Sequence, residues 1–201
     1  MTPAFWPLQL LVPADRSLFP RVEAAIRGGV TLVQLREKDR PDGETYQVGR
    51  ELRDLVRRQG AAFFVNDRPD LALALGADGV HVGEEDLPVA VVRRIAPGLL
   101  IGASCHDIPS AQKAAEADYI GFGPVFPTPS KDDAAPPTGT QMLRQVARVV
   151  GRPVVAIGGI GLGTAVRLRG SGIAGAAVIS AILGAGDAET AARALRRALG
   201  L

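Results

Sequence analysis

Short apolar runs rich in β-branched residues recur along the chain, and longer segments that mix polar and apolar residues lie between them. The runs return about every 25 residues, which leaves room in each period for one strand, one turn and one helix. The pattern predicts eight strands, at residues 8–12, 31–36, 62–66, 79–83, 99–104, 118–123, 153–159 and 175–180.

Three of the intervening segments place their apolar residues at helical spacing. The apolar positions are Val48, Leu52, Leu55 and Val56 in segment 45–59, Met142, Val146 and Val149 in segment 141–150, and Ala192, Leu195 and Leu199 in the last segment. Each set falls on one side of a helix with 3.6 residues per turn, so each segment is predicted to pack that side on a core.

Strands that alternate with helices predict a parallel sheet. Strands that are apolar throughout need cover on both faces, and eight such units favour a compact (β/α)8 TIM barrel. An open doubly wound sheet is the alternative. No linker or change of composition divides the chain, so we expect a single barrel domain over residues 1–201. The active site of such a barrel lies where strands end and their following loops begin.

Composition excludes several classes of protein. Hydrophobic residues make up 47% of the 201 residues, charged residues 22%, and the formal net charge is +2, as in ordinary soluble globular proteins. No basic run suggests nucleic-acid binding, and no run of about 18 apolar residues suggests a membrane span. Cys105 is the one cysteine, which fits a reducing compartment, and we expect a cytoplasmic protein. The sequence leaves the oligomeric state open, a homo-oligomer included.

Polar residues collect at the end of the second predicted strand. Gln34, Arg36 and Lys38 are spaced by two, so on a strand they share one face. Two cations and an amide that enter a barrel mouth together are costly without an anion to meet them. The spacing therefore predicts an anion site, unless the strand has already ended and the charges form a solvated cluster.

Carboxylates follow the third and fourth strands. Asp67 comes directly after Asn66, and Asp86 lies in the loop before Pro88. Side chains from adjacent strand ends can converge, and two carboxylates beside Arg and Lys suggest Mg²⁺ that holds a phosphate or diphosphate. A carboxylate acid/base pair is the rival chemistry, and helix capping is the structural alternative, for Asp86 and more so for Asp70.

The fifth strand ends in Ser104, Cys105 and His106, which invites comparison with a nucleophile and its base. No elbow motif surrounds them and His106 has no visible orienting partner. Alternation puts Ser104 on the inward face and leaves Cys105 a structural residue. His81, in the middle of the fourth strand, is interpreted as a packed core histidine.

The last two strands and the loop after the sixth suggest a second anion site. Consecutive glycines, Gly158 and Gly159, let backbone N–H groups approach an anion, and the loops after strands 7 and 8 are the usual phosphate site of this barrel. The loop at 121–137 sets five prolines around two hydroxyl residues and one of only three lysines. Prolines lower the entropy lost when such a loop becomes ordered.

Taken in order, these motifs resemble the thiamine-phosphate synthase family. The matching stretches are "QLREKD", "NDRPDLALALGADGVHVGEEDLP", "GASCH", "YIGFGPVFPTPSKDDAAPPTG", "AIGGI" and "VISAI". They run from about residue 8 to residue 182. The resemblance implies a (β/α)8 barrel that uses Mg²⁺ to join hydroxymethylpyrimidine diphosphate to hydroxyethylthiazole phosphate, with release of diphosphate.

The resemblance also implies a role for each matching residue. Gln34, Arg36, Lys38, Asn66, Ser104 and Lys131 would contact the pyrimidine diphosphate, Asp67 and Asp86 would ligate Mg²⁺, and Thr128, Ser130, Gly159, Ile179 and Ser180 would hold the thiazole phosphate. Arg36, Lys38 and Lys131 would act in catalysis by neutralising the departing diphosphate. The implied mechanism is dissociative: diphosphate leaves first, and the thiazole nitrogen attacks the pyrimidine carbocation.

The chain departs from the family pattern at three places. Pro13 follows strand 1 where a threonine is frequent, Ser130 stands where Thr is common, and "GGIGLG" lacks a polar helix opening.

Three other functions are possible for a barrel of this kind. Thiazole tautomerases of the same fold carry a histidine where this chain has Pro124. A catalytically silent phosphate-binding barrel would have lost Lys131 or an acidic ligand. A Schiff-base aldolase is not favoured, because neighbouring aspartates keep Lys131 charged.

Overall fold

Eight parallel strands form a closed barrel in which each strand pairs with the next in sequence and the last pairs with the first. The computed structural model of the chain describes residues 7–128 and 136–200. The strands are β1 (Leu8–Val12), β2 (Leu32–Leu35), β3 (Ala62–Asn66), β4 (Gly79–Val82), β5 (Leu100–Cys105), β6 (Tyr119–Phe122), β7 (Val154–Ile157) and β8 (Gly175–Val178).

The helices cover the outside of this barrel. Within the described residues they are α1 (Phe19–Arg27), α2 (Asp42–Arg58), α3 (Pro69–Leu75), α4 (Val89–Ile95), α5 (Ile108–Lys113), α6 (Gly139–Val149), α7 (Leu162–Ala165), α8 (Ser180–Leu183) and α9 (Ala188–Leu199), with 3₁₀ turns at Arg16–Leu18 and Val166–Leu168. None of these described helices has the length and apolar composition needed to cross a bilayer.

The predicted (β/α)8 barrel is confirmed, and every predicted strand lies within two residues of its observed bounds. The predicted apolar faces of α2 and α9 are buried. The prediction for α6 is wrong at Val149, which is 55% exposed. The buried residues of α6 are Leu143 and Val146, and Val150, just past the helix end, packs partly against the core, so Val149 falls beyond the edge of this buried face.

The apolar core has two parts, one between strands and helices and one inside the barrel. Two aromatic rings, from Phe64 and Tyr119, occupy most of the inner part. A side chain at Gly79 would strike the ring of Phe64, and one at Gly102 would strike that of Tyr119, so glycine is needed opposite each ring. The inner core consists of Leu11, Leu32, Ala62, Phe64, Tyr119, Val155 and Ala177. It fills the barrel and leaves only its mouth open.

Candidate active site

A cavity of about 760 Å³ opens at the carboxyl ends of the strands, where a TIM barrel places its active site. It brings together every predicted site residue that the structure describes. These are Gln34, Arg36, Lys38, Asn66, Asp67, Asp86, Ser104, Thr128, Gly159, Ile179 and Ser180. The remaining two, Ser130 and Lys131, lie outside the described residues.

The chain after β2 keeps its strand-like alternation, which directs two cations into the cavity. β2 ends at Leu35, but the N–H of Arg36 still donates to the carbonyl of Val12 (2.8 Å). Arg36 is half-buried and Lys38 is exposed at the rim, and both line the cavity as predicted. The structure thus places both cations at the cavity, with Lys38 also open to solvent.

Glu37, which alternates to the outside, fixes this turn. Burial opposes its ionisation, yet three backbone N–H donors hold the pKa of Glu37 below its usual value. They come from Lys38 (2.9 Å) and Asp39 (3.1 Å) in the same turn and from Ala14 (3.1 Å) in the loop after β1. The carboxylate thus ties the two loops together and orients the cations on either side of it.

Asp67 and Asp86 converge as predicted. Asp67 adopts a left-handed backbone conformation (φ 64°), and its N–H donates to the carbonyl of His81 (2.7 Å). Asp86 accepts from the N–H of Gly83 (2.6 Å). Burial and a hydrogen bond with the Asp86 carboxyl raise the pKa of Asp67 to about 6, although the charges of Lys38 and Arg36 oppose the shift. The two carboxyl groups therefore lie close enough in the cavity for the negative charge of Asp86 to oppose ionisation of Asp67.

The capping alternatives are wrong for both candidates. Helix α3 begins at Pro69 after Arg68, and Asp70 lies inside its first turn, where it pairs with the Arg68 guanidinium (2.7 Å). Helix α4 begins at Val89, so Asp86 is not its capping residue. Asp86 instead closes the turn that follows β4, which leaves its carboxylate beside Asp67.

Two carboxylates fit magnesium better than the metals that need a larger protein ligand set. No group of three or more His, Cys, Asp or Glu side chains able to hold a metal exists within residues 7–128 and 136–200. Mg²⁺ is commonly bound through one or two carboxylates, with water and phosphate oxygens as its other ligands. Burial and the neighbouring Asp86 raise the pKa of Asp67, and a divalent cation between the two carboxylates would favour their charged forms.

Replacing Asp67 by Asn is expected to stabilise the metal-free protein at pH 8 by about 1–2 kcal/mol. Above pH 6 the folded protein carries both carboxylates, whereas protonation of Asp67 favours the folded state as the pH falls from about 6 towards 3.8. The gain should therefore shrink on acidification through this range. Urea unfolding in EDTA at pH 8, 6 and 4.5 measures it.

Asp70→Asn is the matched control for this measurement. The guanidinium of Arg68 lowers the pKa of Asp70, so its neutralisation should change stability at pH 8 in the opposite direction. A wild-type protein as stable as Asp67→Asn at pH 8 would show that the two carboxylates do not repel each other.

His81 connects two residues of the cavity wall. Its Nδ1 lies 2.8 Å from the hydroxyl of Tyr119, and its Nε2 lies 2.9 Å from Oγ of Ser104. Burial lowers the pKa of His81 to about 4, so the ring is neutral near pH 7 and uses one nitrogen as donor and the other as acceptor. His81 lines the cavity and orients Ser104, a role beyond the core packing predicted for it.

Ser104, Cys105 and His106 do not form a nucleophilic pair. Ser104 hydrogen-bonds to His81, whereas Nδ1 of His106 lies 2.6 Å from Glu84 at the rim. Cys105 is buried, and burial raises the pKa of its thiol to about 12. The thiol therefore stays protonated, and the prediction of a structural Cys105 agrees with its position.

The loops after β7 and β8 form the opposite side of the cavity. Gly158 and Gly159 have left-handed conformations (φ 95° and 63°), and a side chain at Gly159 would strike the backbone of Pro127. Thr164 supplies the cap that the sequence lacked at the start of α7. Its Oγ1 accepts from the N–H of Gly161 (2.9 Å) and donates to the carbonyl of Gly159 (2.9 Å). The glycine turn is thus held open towards the cavity.

The two ends of the proline-rich loop are hydrogen-bonded to each other. The Gly123–Pro124 peptide bond is cis, and Pro124 lines the cavity. The carbonyl of Pro124 accepts from both the N–H (2.8 Å) and the hydroxyl (3.1 Å) of Thr138. The described residues before and after segment 129–135 are therefore joined directly beside the cavity.

Gln9 is a cavity residue that the sequence interpretation missed. It is 1% exposed, points inward from β1 and lies beside the inner core. The signal in the sequence was a polar residue within the apolar run 8–12. A buried amide without a partner destabilises a fold, so a glutamine at such a position indicates a binding role.

A family model, two related sequences and one solved structure all indicate the same family. A model of the thiamine monophosphate synthase family matches residues 8–182. The chain is 47% identical over 195 residues to the thiamine-phosphate synthase of Pyrococcus furiosus, covering 94% of each protein. It is 50% identical over 186 residues to the thiamine biosynthesis bifunctional protein ThiM/ThiE of Symbiobacterium thermophilum, covering 89% of this chain and 39% of that longer protein. The solved thiamine phosphate pyrophosphorylase from Pyrococcus furiosus superposes with a TM-score of 0.88 at 42% identity, covering 98% of this chain and 96% of that one.

Proposed function

This chain belongs to the thiamine monophosphate synthase family, and we propose that its cavity uses Mg²⁺ and the cations after β2 to release diphosphate from the pyrimidine substrate. The activity is that of a thiamine-phosphate synthase, a transferase. One observation carries the proposal. The carboxylate pair of Asp67 and Asp86 shares a single cavity with Arg36 and Lys38 on one side and the Gly158–Gly159 turn on the other.

The diphosphate occupies the side formed by the loops after β2, β3 and β4. Arg36 and Lys38 supply positive charge there, and Asp67 and Asp86 would hold Mg²⁺. Bound Mg²⁺ would neutralise the charge that develops on the leaving group. Asn66 and Ser104 line the same side as neutral hydrogen-bonding groups, and the family pattern adds Lys131 to this set.

The thiazole phosphate occupies the opposite side. Thr128, Gly159, Ile179 and Ser180 line it, with Ser130 added by the family pattern. Backbone N–H groups in left-handed glycine turns can approach a phosphate closely, as in other loops of this barrel. The two anions are thus kept apart while the two rings meet between them.

The reaction needs no protein nucleophile. The bond between the pyrimidine methylene carbon and the diphosphate oxygen breaks, and its electron pair leaves with diphosphate. The lone pair of the thiazole nitrogen then forms the new C–N bond. A neutral His81 in the wall of the cavity adds no positive charge beside the carbocation, whereas Arg36 and Lys38 face the departing anion.

Pro124 argues against the tautomerase alternative, because those relatives carry a histidine where this chain presents an apolar ring to the cavity. A silent phosphate-binding barrel is not favoured either, since both acidic residues are retained and converge. We also propose a cytoplasmic location, which agrees with a sequence that has one cysteine and so forms no intramolecular disulfide.

Diphosphate release is expected to require Mg²⁺, because uncompensated diphosphate is a poor leaving group, and thiamine phosphate is expected only when the thiazole phosphate is also present to capture the carbocation. A coupled diphosphate assay with and without EDTA measures this, and chromatography identifies thiamine phosphate. Absence of release from the complete mixture would contradict the synthase proposal. Release at full rate in EDTA would contradict the role of Mg²⁺.

A further inference from the structure

Two glutamine amides lie at the floor of the cavity, on adjacent strands. Gln9 on β1 is 1% exposed and Gln34 on β2 is 2% exposed, and both line the cavity. In the β1–β2 pairing Gln34 lies opposite Leu11, and Gln9 is the next inward residue below Leu11. Both side chains therefore project into the barrel, next to the inner core.

Each amide has one buried atom without a hydrogen-bond partner. Among the residues that the structure describes, none pairs with Nε2 of Gln9 or with Oε1 of Gln34. An unsatisfied buried amide atom typically costs about 1–3 kcal/mol. Two such atoms on one cavity floor, one donor and one acceptor, are more than structural packing explains, because leucine in their place would remove the cost.

We propose that Gln9 is a specificity-determining residue that donates a hydrogen bond to a ring nitrogen of the aminopyrimidine, beside Gln34, which accepts from the exocyclic amine. This inference rests on the proposed function. An aminopyrimidine presents an amine donor next to a ring-nitrogen acceptor, which is the complement of the unpaired acceptor and donor on the floor.

The pyrimidine fits this floor better than the thiazole for two reasons. Gln34 lies on the same inward face of the chain as Arg36 and Lys38, and one step deeper, so the ring that carries the diphosphate lies beneath those cations. The thiazole nitrogen is the nucleophile, and a donor on it would occupy the lone pair that must form the new bond. A hydrogen-bond donor on the cavity floor is therefore suited to the pyrimidine ring and not to the thiazole ring.

The two proposed hydrogen bonds also suit the step in which diphosphate leaves the pyrimidine. An acceptor on the exocyclic amine increases electron donation into the ring, which stabilises the carbocation. A neutral amide donor on the ring nitrogen withdraws little charge, unlike a protonated histidine or a lysine. Gln9 thus identifies the substrate while it opposes the reaction only weakly.

The test compares Gln9→Leu with the wild type on three substrates. They are the natural pyrimidine diphosphate and the two pyridine analogues in which one ring nitrogen is replaced by CH. Gln9→Leu should raise KM for the natural substrate about five- to tenfold, the worth of one hydrogen bond, and leave KM for the thiazole phosphate within about twofold. The analogue that lacks the ring nitrogen next to the amine-bearing carbon should be used equally well by both proteins, because it lacks the nitrogen that Gln9 contacts.

Thermal unfolding and a control variant separate this role from a structural one. Gln9→Leu should unfold at the same or a higher temperature than the wild type, since it removes an unpaired buried amide. Gln145→Leu, on the exposed side of α6, should change no kinetic constant. If Gln9→Leu keeps the wild-type KM and still discriminates against both analogues, the inference is wrong. A wild-type protein without any diphosphate release would instead contradict the proposed function.

Discussion

Replacing Arg36 by Met is expected to lower kcat/KM for the pyrimidine diphosphate by about a hundredfold to a thousandfold, the usual effect of removing one pre-positioned donor from a site of developing charge. Arg36 is half-buried in the cavity wall, and the turn pinned by Glu37 holds it there. Methionine preserves most of the side-chain length, so the loss is chiefly one of charge. Steady-state kinetics with each substrate varied in turn measures it.

Arg40→Met is the matched control, since it makes the same substitution in the same turn. The Arg40 side chain is 46% exposed and faces Glu37 and Glu44 at 3.5 and 3.8 Å rather than the cavity. We expect less than about a threefold change, because the partly exposed Arg40 lies at least 3.5 Å from either carboxylate and three backbone N–H groups hold Glu37 without it. Equal losses in the two variants would show that net charge near the mouth, and not Arg36 itself, assists departure of the diphosphate.

Replacing Asp86 by Asn is expected to lower the rate at limiting Mg²⁺ by about a hundredfold, with partial recovery as the Mg²⁺ concentration is raised. The asparagine oxygen can still accept from Gly83, so the turn after β4 is preserved while one of the two ligand charges is lost. Rates measured across a Mg²⁺ titration distinguish weaker metal binding from a damaged fold.

Glu85→Gln removes the same charge from the neighbouring, exposed position and should leave both the rate and the Mg²⁺ dependence within about threefold of the wild type. If Asp86→Asn follows the wild-type Mg²⁺ titration, Asp86 does not ligate the metal. A uniform loss that Mg²⁺ does not relieve would point to a structural role for the Asp86–Gly83 contact.

The fold and most of the site were predictable because they depend on local periodicity. Alternation along β2 placed Gln34 and Arg36 on the inner face, and that alternation persists past the last strand residue. Adjacent strand ends necessarily bring Asp67 and Asp86 to one edge. Both inferences follow from strand geometry and strand order alone.

Features that depend on contacts between distant residues were not predictable. Val149 has the spacing of a core residue, but its exposure depends on where α6 ends relative to the barrel. By contrast, the cap from Thr164 is a local contact with Gly161, three residues before it, and a search of the third helical position would have found it. Gln9 is informative only once the packing around it is known to leave its amide without a partner.

The carboxylate of Glu37 joins two loops at the mouth of the barrel. Because it binds the N–H of Ala14 together with those of Lys38 and Asp39, the loop after β1 and the loop after β2 share one hydrogen-bonded hub. Local opening of either loop breaks contacts to this carboxylate, so we expect the two loops to open together. A substitution in the first loop that weakens the Ala14 contact is therefore expected to expose the cations on the second loop more often.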